Sequence, residues 1–470
     1  VSRSIPIPSC PRPRASLLAP GILLAAALAV LPGYATAPLS AQGSPTVDPR
    51  ISELLAQVSP ERMEEYLTVL TGFESRHTMS AADDTPNRGI RPAREYILEQ
   101  FNSFSPRLVS ELDCYLIPEQ GRITGEVELC NVLAILPGRS ERRIYVSGHY
   151  DTVARREDTG QFDWDRWDNP SPGANDDGSG TVLTMELARV FAQSGIQFDA
   201  TLVFAALAGE EEGLVGATLH AQQAVADSLE IEAVFNNDII GNSTGGNGII
   251  DSRSVRVFSE DPMDSMSRQM ARYIRRMAGP YVPGHMVRLI AREDRFGRGG
   301  DHTAFNRLGF PGVRFSETRE NYAMQHTEND VIEGVDFEYL ARNARVNAAS
   351  VASLALAPPG PAARNLGRGE SGYAAQIAFQ PSPGATAYRI VWREAWTPDW
   401  QHEVYIPVSQ LEESPRGGTL SHTMEDISID GYIFGVAAVG PEGHESLVSP
   451  YVRPPRRFVP VDVIRRGPGG

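Results

Sequence analysis

Three strand-length apolar runs in the middle of this chain each lead into acidic or imidazole side chains, and helix-patterned segments separate them. Ile144-Tyr145-Val146-Ser147 leads into His149-Tyr150-Asp151, residues 201–208 into Glu210-Glu211, and residues 233–237 into Asp238. Apolar runs of this length, alternating with helices, predict strands buried on both faces. In full, strands are predicted over 143–148, 200–208, 231–237, 286–290 and 311–316, and helices over 179–195, 214–227, 262–278 and 337–356. Ahead of them, residues 49–73 carry apolar side chains at helical spacing and a second helix is predicted near 91–104. Repeated β-α units of this kind predict an α/β fold, a mostly parallel central sheet with helices on both faces. Open α/β sheets collect ligands at the carboxyl ends of their strands, so three strands deliver these groups to one edge.

The segments 108–117 and 125–136 read as a hairpin across the turn Pro118-Glu119-Gln120-Gly121 and carry Cys114 and Cys130. An oxidising compartment permits a disulfide between neighbouring strands; two buried thiols fit the same positions. Residues 1–41 have the layout of a secretory signal: Arg3, Arg12 and Arg14, an apolar stretch over 17–31, then small residues to Ser40-Ala41. A membrane span needs about 20 apolar residues, and Pro20 and Gly21 interrupt this one. A secreted or periplasmic protein, with no stable membrane span after cleavage, is the expectation.

Composition divides the remainder. The α/β domain is expected over 48–357, a proline-rich linker over 358–362, and a tail rich in Arg, Pro and Gly over 454–470, read as disordered. Between them, 363–453 shows short strands at 376–379, 387–393, 403–407, 420–424, 432–439 and 445–450, the spacing of an all-β sandwich. The net charge of −16 argues against a nucleic-acid surface. All 43 basic residues are Arg, which excludes lysine Schiff-base chemistry.

Singly, these motifs have ordinary readings. Paired glutamates usually form a solvated face, and Asn175-Asp176-Asp177-Gly178-Ser179-Gly180 alone is a turn followed by a helix cap. The combination, with His326-Thr327-Glu328-Asn329-Asp330 downstream, is similar to the co-catalytic di-zinc aminopeptidase family, which includes bacterial leucyl aminopeptidases and, more distantly, glutamate carboxypeptidases. The resemblance runs from about Leu67 to Leu356. It implies that Asp176 bridges two Zn²⁺ ions, with Glu211 and His326 on one and His149 and Asp238 on the other. Manganese or cobalt suits the same mixed ligands. It further implies Glu210 as general base, Asp151 as a carboxylate holding the His149 ring, and a cis peptide between Asp176 and Asp177. Two ions about 3.5–4 Å apart polarise a scissile carbonyl and acidify a water between them.

The 88-residue step from Asp238 to His326 leaves no room for an inserted lid domain. Some family members place a tyrosine directly before the last histidine; here it is Gln325, with Tyr322 nearby. The loop Phe162-Asp163-Trp164-Asp165-Arg166-Trp167-Asp168 either receives a substrate's free amine and first side chain or packs on itself. Residues 363–453 resemble a fibronectin type III module through Tyr388–Arg393, Tyr432–Val439 and Gly443-His444-Glu445-Ser446, and such a module suits contact with a polymer or a surface. The expected function is a secreted zinc exopeptidase, an aminopeptidase acting on peptide substrates. Three alternatives stand beside it: a glutamate-type carboxypeptidase or dipeptidase with an arginine clamp (Arg292, Arg295 or Arg298), a non-catalytic binding protein like the transferrin receptor relatives, and acyl transfer as in glutaminyl cyclases.

Overall fold

A computed structural model describes residue 45 and residues 47–452, apart from 83, 84, 86, 157, 370, 371 and 416. The expected signal segment, Cys10 and the expected C-terminal tail from 454 lie outside the described residues. Among those described, no helix is long and apolar enough to cross a membrane.

The N-terminal helical pattern splits in two, α1 (Pro49–Ala56) and α2 (Pro60–Thr71). Pro60 cannot donate within a continuing helix, and the Ser59 hydroxyl accepts from Arg62 N to start α2 afresh. Helix α3 (Ile90–Phe104) follows, then strands β1 (Val109–Ile117), β2 (Val127–Leu136) and β3 (Arg143–His149). The chain continues α4 (Ser179–Gln193), β4 (Thr201–Leu207), α5 (Val215–Ala226), β5 (Ile231–Asn237), β6 (Ser254–Ser259), α6 (Met266–Tyr281), β7 (Met286–Ile290), α7 (Asp301–Asn306), β8 (Gly312–Glu317) and α8 (Phe337–Leu356).

The eight strands form one mixed sheet ordered β1-β2-β4-β3-β5-β8-β6-β7. Its centre, β4-β3-β5-β8, is parallel, as is β6–β7, while β1–β2, β2–β4 and β6–β8 run antiparallel. Cys114 and Cys130 are direct partners across β1–β2 and form a disulfide with a Cα–Cα distance of 4.0 Å. The interval from Asp238 to His326 contributes β6, β7 and β8 to this same sheet, with α6 and α7 packed against it, so it holds no separate lid. β6 is absent from the sequence-based expectation. Its alternation, Val255 and Val257 buried on either side of half-buried Arg256, is too short to stand out between two loops.

Close packing at the sheet centre explains two motif glycines. A Cβ on Gly148 would lie 2.5 Å from the Gly180 carbonyl carbon, and one on Gly180 2.1 Å from Asn237 O. Strand β3 and helix α4 therefore touch backbone to backbone directly behind His149 and Asp176.

After α8 the chain forms two four-stranded antiparallel sheets. One joins β9 (Ala362–Arg368), β10 (Ala375–Gln380), β13 (Glu412–Glu413) and β14 (Leu420–Met424); the other joins β11 (Ala387–Glu394), β12 (His402–Pro407), β15 (Tyr432–Val439) and β16 (Ser449–Pro450). Ile377, Phe379, Tyr388, Ile390, Phe434 and Val436 form their shared core. Strand β9 begins at Ala362, within the stretch whose composition marks a linker. This module packs on α6: Trp400 Nε1 donates to Gln269 Oε1 at 3.0 Å, Arg276 Nε to Glu445 Oε2 at 3.2 Å, and Arg393 Nη2 to Asp264 Oδ1 at 2.7 Å.

Candidate metal centre

The expected site residues converge at the carboxyl edge of the parallel strands. His149 ends β3, Glu210 and Glu211 follow β4, Asp238 follows β5, Asp176 lies in the turn 174–178 that enters α4, and His326 comes from the loop after β8. Asp176 faces two imidazoles at once: Oδ1 lies 3.4 Å from His149 Nε2 and Oδ2 lies 3.0 Å from His326 Nε2. His326 Nε2 is also 3.3 Å from Glu211 Oε1, and His149 Nε2 is 3.9 Å from Asp238 Oδ1. Ligand atoms of Asp176, Glu211 and His326 cluster on one side, and those of His149, Glu210 and Asp238 on the other. The Asp176–Asp177 peptide is cis, and His326 sits in the left-handed region at φ 60°, a conformation that non-glycine residues hold only where surrounding structure enforces it.

Asp151 touches this group differently from the expectation. Its carboxylate oxygen stands 3.6 Å from His149 Nδ1, too far for a hydrogen bond, and its backbone carbonyl meets that nitrogen at 3.2 Å. The carboxylate accepts the N–H groups of Glu210 and Glu211 at 3.2 and 3.1 Å. Asp151 thus sets the turn that presents both glutamates.

Several residues support the site, and of these Asp330, Arg76 and Arg314 escape sequence reasoning. Asp330 accepts from Asn175 N and Asp176 N, each at 2.9 Å, one per carboxylate oxygen. Asp177 accepts from His149 N, Gly180 N and Ile239 N, tying β3, α4 and the end of β5 together. Buried Arg76 donates to the carbonyls of Tyr150, Pro172 and Gly173 at 2.7, 2.5 and 3.0 Å. Arg314, wholly buried, pairs with Asp238 at 2.8 Å and Asp294 at 3.0 Å. Asp330 lies in the run already singled out for His326, yet nothing local marks it as a clamp; Arg76 carries no motif at all.

The electrostatics call for cations. Burial disfavours charge on both rings, yet Asp151 and Asp176 push His149 well above its usual range, and Glu211 and Asp176 push His326 up to about 10. Glu210 is pushed well above the usual carboxyl range, first by burial and then by the neighbouring carboxylates of Asp238, Glu211 and Asp301. Meanwhile His149 Nε2, Asp176 Oδ2 and Glu211 Oε1 are buried without a hydrogen-bond partner among the described residues, facing one another's side chains and His326 Nε2. Buried polar atoms ordinarily have partners. Zinc–ligand bonds of about 2.0–2.1 Å at tetrahedral angles put ligand atoms roughly 3.4 Å apart, close to the spacings seen here. Imidazole and carboxylate are zinc's ordinary donors, so this set fits the metal.

The profile of peptidase family M28 matches residues 131–351. A protein of Pyricularia oryzae named "Probable zinc metalloprotease" is 35% identical, the match covering 85% of this chain and 84% of that one. The chain belongs to peptidase family M28. A second relative with the same name, from Pyrenophora teres f. teres, is 34% identical over 85% of this chain and 86% of its own. Among solved structures, the Legionella pneumophila LapA aminopeptidase superposes with a TM-score of 0.51 at 21% identity, covering 68% of this chain and 78% of that one; it shares the fold. The M28 chain is accordingly a zinc metallopeptidase.

The mouth of the M28 site holds residues that the sequence left undecided. Phe162 stands edge-on to His326 at 5.0 Å and stacks on Trp164 at 5.0 Å. Asp163 turns inward instead, to Arg156 at 3.1 Å and Asn169 at 2.8 Å. The loop therefore offers its aromatic face to the cleft, and Asp163 is spent on packing the loop. Gln325 is buried, bonded to Glu320 and Arg298, while Tyr322 is exposed. Of the three arginines considered for a clamp, Arg295 is committed to Asp294 and Glu320, Arg292 lies over Phe296, and Arg298 reaches the cleft.

Proposed function

We propose that this M28 metallopeptidase is an exopeptidase with two zinc ions, acting as an aminopeptidase outside the cytoplasm. The observation that carries the two-ion reading is Asp176, whose two oxygens face two different histidines. One ion would be held by Asp176, Glu211 and His326, the other by Asp176, His149 and Asp238. Zinc, when bound, supplies Lewis acidity to the scissile carbonyl and to the attacking water. Glu210, desolvated and beside His149 and Asp238, would take the proton from the attacking water and return it to the leaving amine nitrogen. Asp151 holds Glu210 and Glu211 on one turn, so base and ligand keep a fixed separation. Asp330 and Asp177 hold the backbone on either side of Asp176.

Export is supported by the composition of residues 1–41 and by the Cys114–Cys130 disulfide, since such bonds persist in oxidising compartments. The C-terminal sandwich, read as fibronectin type III-like, suits a spacer or a surface-contact module; its fold alone assigns no activity. A second reading, a dipeptidase or glutamate-type carboxypeptidase on the same metals, is favoured by four arginines at the cleft mouth. The two readings separate on peptides with free, N-blocked and C-amidated ends, offered to zinc-loaded protein. Cleavage that needs a free amine and tolerates amidation supports the aminopeptidase; cleavage of N-blocked peptides that fails on amides supports the carboxypeptidase.

A further inference from the structure

A cavity of about 170 Å³ lies where α6 packs on the C-terminal sandwich, lined by Gln269, Arg272, Tyr273 and Arg276 of α6 and by Arg389 and Trp400 of the sandwich. That is room for several waters, whose share of liquid volume is about 30 Å³ each. The cations around it outnumber the carboxylates that pair with them. Arg275 meets Asp399 at 2.6 Å, Arg276 and Arg389 share Glu403 and Glu445, and Arg393 holds Asp264 at 2.7 Å. Arg272 is left with Asp264 at 3.9 Å, a carboxylate that Arg393 already holds. Arg268 and Asp261, paired at 3.2 Å, leave that difference unchanged. Burial, and then the like charge of Arg393, bring Arg272 down to about 10.

Unused donors point the same way. Arg272 Nη1, Gln269 Nε2 and the Tyr273 hydroxyl are buried without a hydrogen-bond partner among the described residues. All three side chains belong to residues more than nine-tenths buried. Gln269 Oε1 accepts from Trp400 Nε1 at 3.0 Å, which fixes the amide and leaves Nε2 as its unused end. Arg272 Nη2 is spent on Pro398 O and on Met263 O, the latter at 3.1 Å, and the guanidinium lies 5.5 Å from the Trp400 ring centre. Burial drives the Tyr273 hydroxyl well above its usual range, so it keeps its proton and can donate. Buried donors ordinarily have partners. Water would satisfy the donors but not the surplus charge, which is costly away from bulk solvent unless paired. An anion that only accepts hydrogen bonds satisfies both.

We propose that this cavity binds one small free oxyanion, of the size and charge of inorganic phosphate, between Arg272, Gln269 and Tyr273, and that the bound ion fastens the sandwich to α6. The probe is inorganic phosphate, added to the full-length zinc-loaded protein at constant ionic strength with chloride as the balancing ion. The readout is the unfolding midpoint by calorimetric scanning. The wild-type protein is expected to show a saturable rise of about 2–4 °C. Arg272→Gln removes the surplus charge. Gln269→Glu supplies a built-in carboxylate and keeps an acceptor for Trp400. Both variants are expected to need about tenfold more phosphate, or still more, for the same rise, and Gln269→Glu to unfold above the wild type in chloride alone. Phosphate taken up at the metal centre acts alike on all three proteins, so the difference between them reads the joint. Should Arg272→Gln fail to fold, Gln269→Glu decides. An equal response to phosphate in the wild type and Gln269→Glu, or no rise in the wild type beyond that in chloride, overturns the proposal and leaves a cavity filled by water.

Discussion

Replacing Asp330 with Asn tests whether the turn carrying Asp176 is held from outside the metal site. Each Asp330 oxygen accepts one buried N–H at 2.9 Å, from Asn175 and from Asp176. Asparagine keeps the shape but has a single acceptor oxygen, so one N–H loses its partner and meets an NH₂ group. A hydrogen bond to a charged acceptor contributes about 1.5–3 kcal/mol, and an unsatisfied buried donor costs about 1–3 kcal/mol. A destabilisation of about 2–3 kcal/mol of the metal-free protein follows, roughly a 5 °C fall in its unfolding midpoint. The freed turn also relaxes the carboxylate that faces both imidazoles. Loss of a group that orients a ligand typically weakens metal binding by about 10–100-fold. Calorimetric scanning of the metal-free protein and competition for zinc against a chromophoric chelator measure the two effects separately. An Asn variant with unchanged midpoint and unchanged zinc affinity would show that Asp330 is not the clamp described here.

Further outcomes follow from other parts of the molecule. Glu210→Gln is expected to lower kcat by about 10²–10⁴-fold with zinc content unchanged; loss of an ion would make Glu210 a ligand instead. Removing the disulfide by Cys114→Ser with Cys130→Ser releases a loop of 16 residues' separation, worth about 3 kcal/mol, seen as an earlier urea midpoint. Glu445 is buried; burial alone would raise its pKa, but Arg389 and Arg276 outweigh this and hold it below the usual carboxylate range. A depressed carboxyl stabilises the fold above its unfolded pKa and loses that contribution as pH falls through its folded pKa. The contacts between α6 and the sandwich should therefore weaken below about pH 4, and Glu445→Gln should flatten the fall in stability measured across that window.

The parts of this structure that the sequence made legible are those encoded locally. The buried runs of β3, β4 and β5 are apolar enough to be read as strands, and the groups at their ends follow within four residues. His326 and Asp176 belong to no such run and were placed through resemblance. The clamps were not legible because each acts across the fold: Asp330 reaches 154 residues back to Asp176, and Arg314 reaches 76 residues to Asp238. Such pairings exist only once the sheet is assembled. The loop 162–168 shows the converse. Its acids and aromatics alternate, but the alternation does not say which faces the cleft; Asp163 packs inward and Phe162 meets His326. Arg122, Arg155 and Arg307 lie in three separate loops or turns, and only folding gathers them at one mouth.

In the proposed site two metal ions share Asp176. Crystals of the zinc-loaded protein, measured on both sides of the zinc absorption edge, test this directly. Two anomalous peaks about 3.5–4 Å apart are expected, one beside His326 and Glu211, the other beside His149 and Asp238, with Asp176 between them. A single peak, or a second peak away from His149 and Asp238, would contradict it.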